Sequence, residues 1–315
     1  MRIILHIGAH RNATTSFQYY LRENAAWLGE NGIGFWGPAR MRGGLLAGLA
    51  PGARGAPDPR RLRRLRGRVQ LQLEKARAGG ALHLLVSEEN MLGSARHNLR
   101  HARLYPAAGE RLARHAEVFG GRIAGIVLSV RSQELWWASA AASTVARGHA
   151  VPTAQTFARV AAQHRGWRDV ITDIACAVPD VPITVAPFEH FAGRPQDLLH
   201  LAVGLRGPSH AADTWLGRSP DLAALRSILA QEGADPAALP AGEGRWLPFT
   251  PAQCAALREA YADDLHWLIA GADGLATLAN DPTRTKTGAS LHPGADLTEG
   301  RGHDEDGKGY LARSG

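Results

Sequence analysis

The residues best suited to chemistry stand near the N-terminus, in the segment Gly8-Ala9-His10-Arg11-Asn12-Ala13-Thr14-Thr15. It follows a short apolar run, residues 2–7, and precedes a helical pattern that starts at Thr14 and sets Phe17 and Leu21 on one face, ending near Asn31-Gly32. A strand-loop-helix turn of this kind offers free backbone N–H groups and the positive end of a helix dipole, a combination that favours phosphate. Arg11 adds a fixed cation, and the Thr14 and Thr15 hydroxyls can donate further hydrogen bonds. His10, beside Arg11, is a candidate proton acceptor. The spacing is not G-x-x-x-x-G-K-[ST], so an ordinary ATP or GTP loop fits poorly. The plainer alternative is that Gly8 relieves a tight turn while Thr14 or Thr15 caps a helix.

Elements elsewhere must position this loop. The apolar runs 81–86 and 123–130 read as buried strands, each stopped by a polar segment: Ser87-Glu88-Glu89-Asn90 after the first, Arg131-Ser132-Gln133-Glu134 after the second. Residues 33–36 and 182–186 read as two further short strands. Helices are expected near 61–78 and 107–118, from Arg131 to about Ala146, and near 219–232 and 251–270. Strands alternating with helices predict an α/β fold, a central parallel sheet with crossover helices and a mostly helical part beyond residue 150. Ligands of such sheets bind outside the carboxyl ends of the strands. Gly8–Thr15, Ser87–Asn90 and Arg131 therefore fall on one rim. Residues 1–280 are expected to form a single domain, and 281–315, rich in Gly, Thr and Asp without an apolar period, a disordered tail.

Composition narrows the ligand. No stretch of the 315 residues approaches the ~20 apolar positions of a membrane span, and the N-terminus lacks the features of a signal peptide. Cys176 and Cys254 cannot build a disulfide framework and fit a reduced, cytoplasmic protein. Residues 1–120 hold 19 Lys+Arg against 8 Asp+Glu, a net of +11, while the remainder nets −4. The N-terminal half should therefore attract anions. No nucleic-acid motif accompanies the charge, which leaves a small phosphorylated ligand. The basic run Arg60–Arg68 reads as a solvated helix face with packed leucines, or as a funnel for anions. Trp136 and Trp137 read as core rather than as a platform for adenine, with one of them facing the sheet. The fourteen His residues show no paired metal-ligand spacing.

HIGAHRNATTSFQ resembles the 5'-phosphosulfate loop of the PAPS-dependent sulfotransferases, approximately G-x-x-[KR]-[STN]-[GA]-[ST]-[ST]. Arg131 and Ser139 in IVLSVRSQELWWAS stand at the spacing of that family's second element, an Arg with a Ser eight residues on, which binds the 3'-phosphate. Ser87-Glu88-Glu89-Asn90 is similar to the S-x-E-N segment of bacterial relatives. With Pro187-Phe188-Glu189 and the segment Tyr261–Leu268, the likeness covers about residues 1–280. Arg11 stands where Lys is usual, Ala13 where Gly is usual, and Arg131-Ser132-Gln133 where R-D-P is usual.

The resemblance implies a P-loop-NTPase-like three-layer sandwich that binds PAPS and moves its sulfuryl group to a hydroxyl, or an amine, by in-line displacement without a metal. Arg11 would neutralise the bridging oxygen. The backbone of Asn12, Ala13, Thr14 and Thr15 would hold the 5'-phosphate, and Arg131 with Ser139 the 3'-phosphate of the nucleotide, which leaves as 3',5'-adenosine bisphosphate. Glu89 is the first candidate base, with a pKa raised by partial burial; His10, or Glu88 if the register slips by one, is the alternative. The acceptor, whether saccharide, lipid or small metabolite, has no motif here. Two other readings stay open: a Mg-dependent nucleotide phosphotransferase using Ser87–Asn90 for the metal, and an inactive sulfotransferase-like module that binds nucleotide or glycan.

Overall fold

Short runs of Ile, Leu and Val that are apolar at every position cannot expose either face, so they become strands covered on both sides. In the computed structural model, which describes residues 1–46, 49 and 58–281, they form β1 (Arg2–His6), β2 (Ile33–Trp36), β3 (His83–Ser87), β4 (Ile123–Val130) and β5 (Ile183–Pro187). A two-residue strand not anticipated from the sequence, β6 (Thr277–Leu278), completes one parallel sheet in the order β2-β3-β1-β4-β5-β6. Alternate residues of each strand feed opposite layers. Ile3 and Leu5 pack with Leu84, Val86, Ile126 and Leu128 against the helices Pro59–Ala78, Ala108–Phe119 and Trp167–Ala177. Ile4 packs with Leu85 and Val127 against the helices Thr14–Glu23 and Pro195–Val203. The result is the expected α/β architecture of three layers.

The strand order matters for function because the chain leaves β1 toward β2 on one side and returns past β1 to reach β4 on the other. The carboxyl ends of β1 and β4 thus lie together at a switch point, where open α/β sheets bind ligands. The ladder continues past the strand end: Ile7 N–H donates to the Val127 carbonyl at 3.1 Å and Ala9 N–H to the Ser129 carbonyl at 2.8 Å.

Several boundaries differ from the sequence reading. β3 starts at His83 and ends on Ser87, which pairs with His6 and so belongs to the strand rather than to the polar stop. The first helix breaks at Asn24 into Thr14–Glu23 and Ala25–Glu30; the Asn24 side chain caps the break by donating to the Tyr20 carbonyl. The helix expected from 219 begins at Leu222, because the Asp221 carboxylate accepts the Ala224 N–H at 2.8 Å and fixes the start there. Met1–Thr283 forms one compact unit. Apart from Asp281, the expected tail lies outside the described residues. No helix among the described residues is long and apolar enough to cross a membrane.

Both Trp136 and Trp137 are fully buried, where one was expected to face the sheet. Their helix, Gln133–Val145, is enclosed almost all round, so both rings find apolar neighbours. Trp136 stacks edge-on with Trp137, Tyr105 and Trp167, and its Nε1 donates to the His10 carbonyl at 2.7 Å. Trp137 Nε1 has no partner among the described residues. Replacing either ring by Phe removes similar volume, but only Trp136→Phe orphans a buried carbonyl. Trp136→Phe should therefore destabilise the protein by about 1–2 kcal/mol more than Trp137→Phe, measured by urea denaturation.

Candidate active site

The loop after β1 is built for close approach. Gly8 adopts φ +89°, and a Cβ placed on it would meet the Glu89 Cβ at 2.7 Å. Only glycine lets the loop and the residue after β3 share this space. Arg11 and Ala13 also take positive φ, 64° and 57°, at roughly 1 kcal/mol each for residues with a Cβ. The Ala13 backbone thus adopts the left-handed conformation that the usual Gly would reach without strain. Thr14 Oγ1 donates to the Ala9 carbonyl, and Asn12 Nδ2 to the Ser129 carbonyl, so these side chains brace the turn. The helix beginning at Thr14 has no side-chain cap. The N–H groups of residues 11–16 have no partner among the described residues, the arrangement a bound anion would complete.

Above the loop opens a cavity of about 480 Å³. His10, Arg11, Ala13, Thr14, Thr15, Glu89, Arg131 and Ser139 all line it. Of the sequence-predicted site residues, Asn12 and Glu88 stand outside. Asn12 is turned to Ser129, and Glu88 is clamped by Arg42 through bonds of 2.7 and 2.9 Å. The register question is thereby resolved in favour of Glu89 as the carboxylate at the cavity. Arg11 bridges chain segments far apart in sequence. Its Nε donates to Ser139 Oγ at 2.9 Å, and its Nη2 to the Gly217 carbonyl and Ser219 Oγ at 2.8 and 2.9 Å. Arg131 donates to the Arg11 carbonyl at 3.1 Å and lies over the Phe188 ring at 4.2 Å. Its Nε is buried without a partner among the described residues. The Arg131 strand end is itself anchored: Trp167 Nε1 donates to its carbonyl, and Glu189 accepts both the Ser132 N–H and the Tyr261 hydroxyl.

Five arginines line the cavity, Arg11, Arg131, Arg147, Arg218 and Arg245, against two carboxylates, Glu89 and Asp221. None of the five is ion-paired with a carboxylate among the described residues. Burial, with Arg147 nearby, pushes the Arg11 guanidinium down to about 10; burial and then Arg245 do the same to Arg131. Both remain charged at neutral pH, and the site carries a cationic surplus that an anion would relieve. Arg147, Arg245 and the segment 215–220 were missed in the sequence. Lone arginines carry no spacing signal, and Ser219 was assigned to a helix. The arginines of the run 60–68 do not line the cavity.

The candidate bases differ from expectation. Burial alone would raise the Glu89 carboxyl, but His10 in its protonated form, Arg42, its own N–H and Gln18 outweigh it and hold the group below the usual carboxylate value. Gln18 donates to one carboxylate oxygen at 3.0 Å and Arg42 to the other at 2.8 Å. Glu89 is thus ionised at neutral pH, with a lowered rather than raised pKa. His10 is neutral, its pKa lowered chiefly by burial. Its Nδ1 lies 2.9 Å from the Tyr105 hydroxyl and its Nε2 3.1 Å from the Asn90 amide, so both ring nitrogens are engaged. Among the described residues no cluster of three or more His, Cys, Asp or Glu side chains is arranged to hold a metal ion. Comparison with family models, curated proteins and solved structures gives no match.

A buried polar chain stands behind Glu89. His6 Nδ1 meets Ser87 Oγ at 2.8 Å, Gln18 donates to the same hydroxyl at 3.1 Å, and Gln18 then reaches Glu89. Burial lowers the His6 pKa to about 4, and that of buried His115 likewise. As pH falls from 6.5 toward 4, the unfolded chain takes up these protons while the folded chain refuses them, so both histidines reduce stability on acidification. Asp264, raised by burial to about 6, opposes them over part of the same range. His6→Asn should flatten the acid loss by up to about 1.4 kcal/mol per pH unit, read from urea midpoints between pH 7 and 4.

Proposed function

We propose that this protein is a PAPS-dependent sulfotransferase that transfers a sulfuryl group to a hydroxyl, or less readily an amine, of an acceptor. One observation carries the reading: buried Arg131 and half-buried Arg11 have no carboxylate partner among the described residues, beside a loop whose N–H groups from residue 11 to 16 also lack partners there. An anion bearing two separated phosphate groups satisfies both places. The residues present fit PAPS on these grounds. The loop N–H groups and Arg11 would hold its 5' end, and Arg131 with Ser139 its 3'-phosphate.

When bound, PAPS supplies an activated sulfuryl group for in-line displacement. The chain's own part is positioning and charge stabilisation. Arg11, braced by Ser139, Ser219 and Gly217, keeps a fixed positive charge against the phosphate end of the loop. Arginine cannot readily act as an acid, and a departing phosphate, with a pKa near ~6, does not need one. Glu89, ionised and at the cavity wall, takes the proton of the acceptor hydroxyl; its low pKa makes it a modest base. The engaged nitrogens of His10 favour a bracing role for that ring. Arg42 occupies both Glu88 and Glu89, and a Mg²⁺ ion would have to displace it, which speaks against the phosphotransferase alternative.

Calorimetric titration tests this reading. Micromolar binding of 3',5'-adenosine bisphosphate is expected, with 5'-AMP much weaker. Arg131→Ala should cost at least ~10-fold, about 1.4 kcal/mol, for the bisphosphate while leaving 5'-AMP little changed. A preference for Mg-ATP would overturn the assignment. Glu89→Gln should keep nucleotide affinity while losing transfer from labelled PAPS to any acceptor that the native protein sulfates, by ~10²-fold or more. Nucleotide binding without transfer in the native protein would favour the inactive-module reading.

A further inference from the structure

The cavity holds more positive charge than two phosphate groups require. Beyond Arg11 and Arg131 it includes Arg147, Arg218 and Arg245. Arg218 lies over the Trp215 ring at 5.0 Å, and Arg245 lines the wall between Gly244 and Trp246. Arg147 belongs elsewhere. It lines the cavity together with His10, Arg11 and Glu89, two residues past the end of the helix that carries Ser139.

The helix Gln133–Val145 explains how it comes to be there. That helix is buried nearly all round, yet Ser139, Ser143 and Arg147, spaced by four, all line the cavity. At 3.6 residues per turn Ser139 and Ser143 share one face, and Arg147 follows two residues past the helix end, in a turn closed by the bond from its N–H to the Thr144 carbonyl at 3.1 Å. Ser139 is engaged by Arg11 and Ser219. The Ser143 hydroxyl has no hydrogen-bond partner among the described residues, and Arg147 has no carboxylate partner there. A hydroxyl and a guanidinium four residues apart in the chain, both uncommitted and both lining the same cavity, make a receptor for a tetrahedral oxyanion.

We infer that Ser143 and Arg147 form an anion subsite for the acceptor, which therefore carries a phosphate or sulfate group of its own beside the hydroxyl offered to Glu89. The inference rests on the sulfotransferase reading above and adds the substrate class to it: an acidic acceptor rather than a neutral sugar, sterol or phenol. The exposed position of Arg147 suits it to a substrate that arrives after the nucleotide and leaves freely, since a partly solvated pair binds weakly and is screened by salt.

The test uses the full chain saturated with 3',5'-adenosine bisphosphate, titrated with inorganic phosphate and separately with inorganic sulfate. Binding is followed by calorimetry and, for phosphate, by ³¹P line broadening. The native complex is expected to bind one further oxyanion, and Arg147→Ala to weaken it at least ~5-fold, with Arg147→Lys intermediate and Ser143→Ala weaker by a smaller factor. In all three variants the bisphosphate should bind within about twofold of native, which also shows that each is folded. Absence of the second anion, or its equal binding by Arg147→Ala, would overturn the inference while leaving the nucleotide reading in place. Loss of bisphosphate affinity in Arg147→Ala by ~10-fold or more would also overturn it, by moving Arg147 to the nucleotide. Failure of the native protein to bind the bisphosphate would instead sink the reading on which the inference stands.

Discussion

Arg131 donates to the carbonyl of Arg11, and through that bond the ends of β4 and β1 bring two guanidinium groups to one cavity, neither of them ion-paired with a carboxylate among the described residues. Like charges withdrawn from water repel, and the cost is met only if other parts of the fold are rigid enough to keep them there. Much of the surrounding structure can be understood as that support. The β1–β4 ladder runs on into the loop, Trp136 grips the His10 carbonyl from below, and Trp167 grips the Arg131 carbonyl from behind. Asp264, on the helix Pro251–Ile269, accepts the N–H groups of Trp167 and Arg168 and so fixes the second of those tryptophans. A site strained in this way stores a preference for anions in the empty protein, before any ligand arrives.

The carboxylate side is organised by the opposite means, through a continuous chain of hydrogen bonds. Glu89 touches Gln18 and Arg42, Gln18 touches Ser87, and Ser87 touches the neutral His6 at the end of β1. Because Gly8 leaves room for Glu89 at van der Waals range, the anion-binding loop and the base cannot shift independently. Their separation is set by backbone rather than by flexible side chains, which is what in-line transfer demands.

Much of this was legible in the sequence, and the parts that were not share a cause. The parallel sheet and the loop follow from local pattern: apolar runs of fixed length and a glycine stop. Arg131 and Ser139 were singled out by the resemblance; both line the cavity, where Ser139 bonds to Arg11 and Ser219. The pKa of Glu89 went the wrong way because burial was visible as a tendency whereas its partner, Arg42, sits 47 positions away in a segment with no motif. The helix expected from 219 starts later because its beginning depends on a cap at Asp221 that the helix-forming residues around it conceal. Both tryptophans being buried reflects a helix enclosed on all sides, which periodicity cannot report. Long-range tertiary contacts, not local propensity, decided each of these.

The bonds of Arg11 have a consequence for how the protein is made. Its partners Ser139, Gly217 and Ser219 lie 128, 206 and 208 positions later in the chain. At typical synthesis rates of ~5–20 residues per second, the loop leaves the ribosome roughly 10–40 s before its arginine can be fully held. Within that interval the emerging portion reaches a net +11 by residue 120. The nascent chain is for that time a polycation beside the ribosome's own RNA, with an unfinished anion trap at its leading end. Binding competence therefore arrives late and all at once, when the C-terminal half closes over a loop made first.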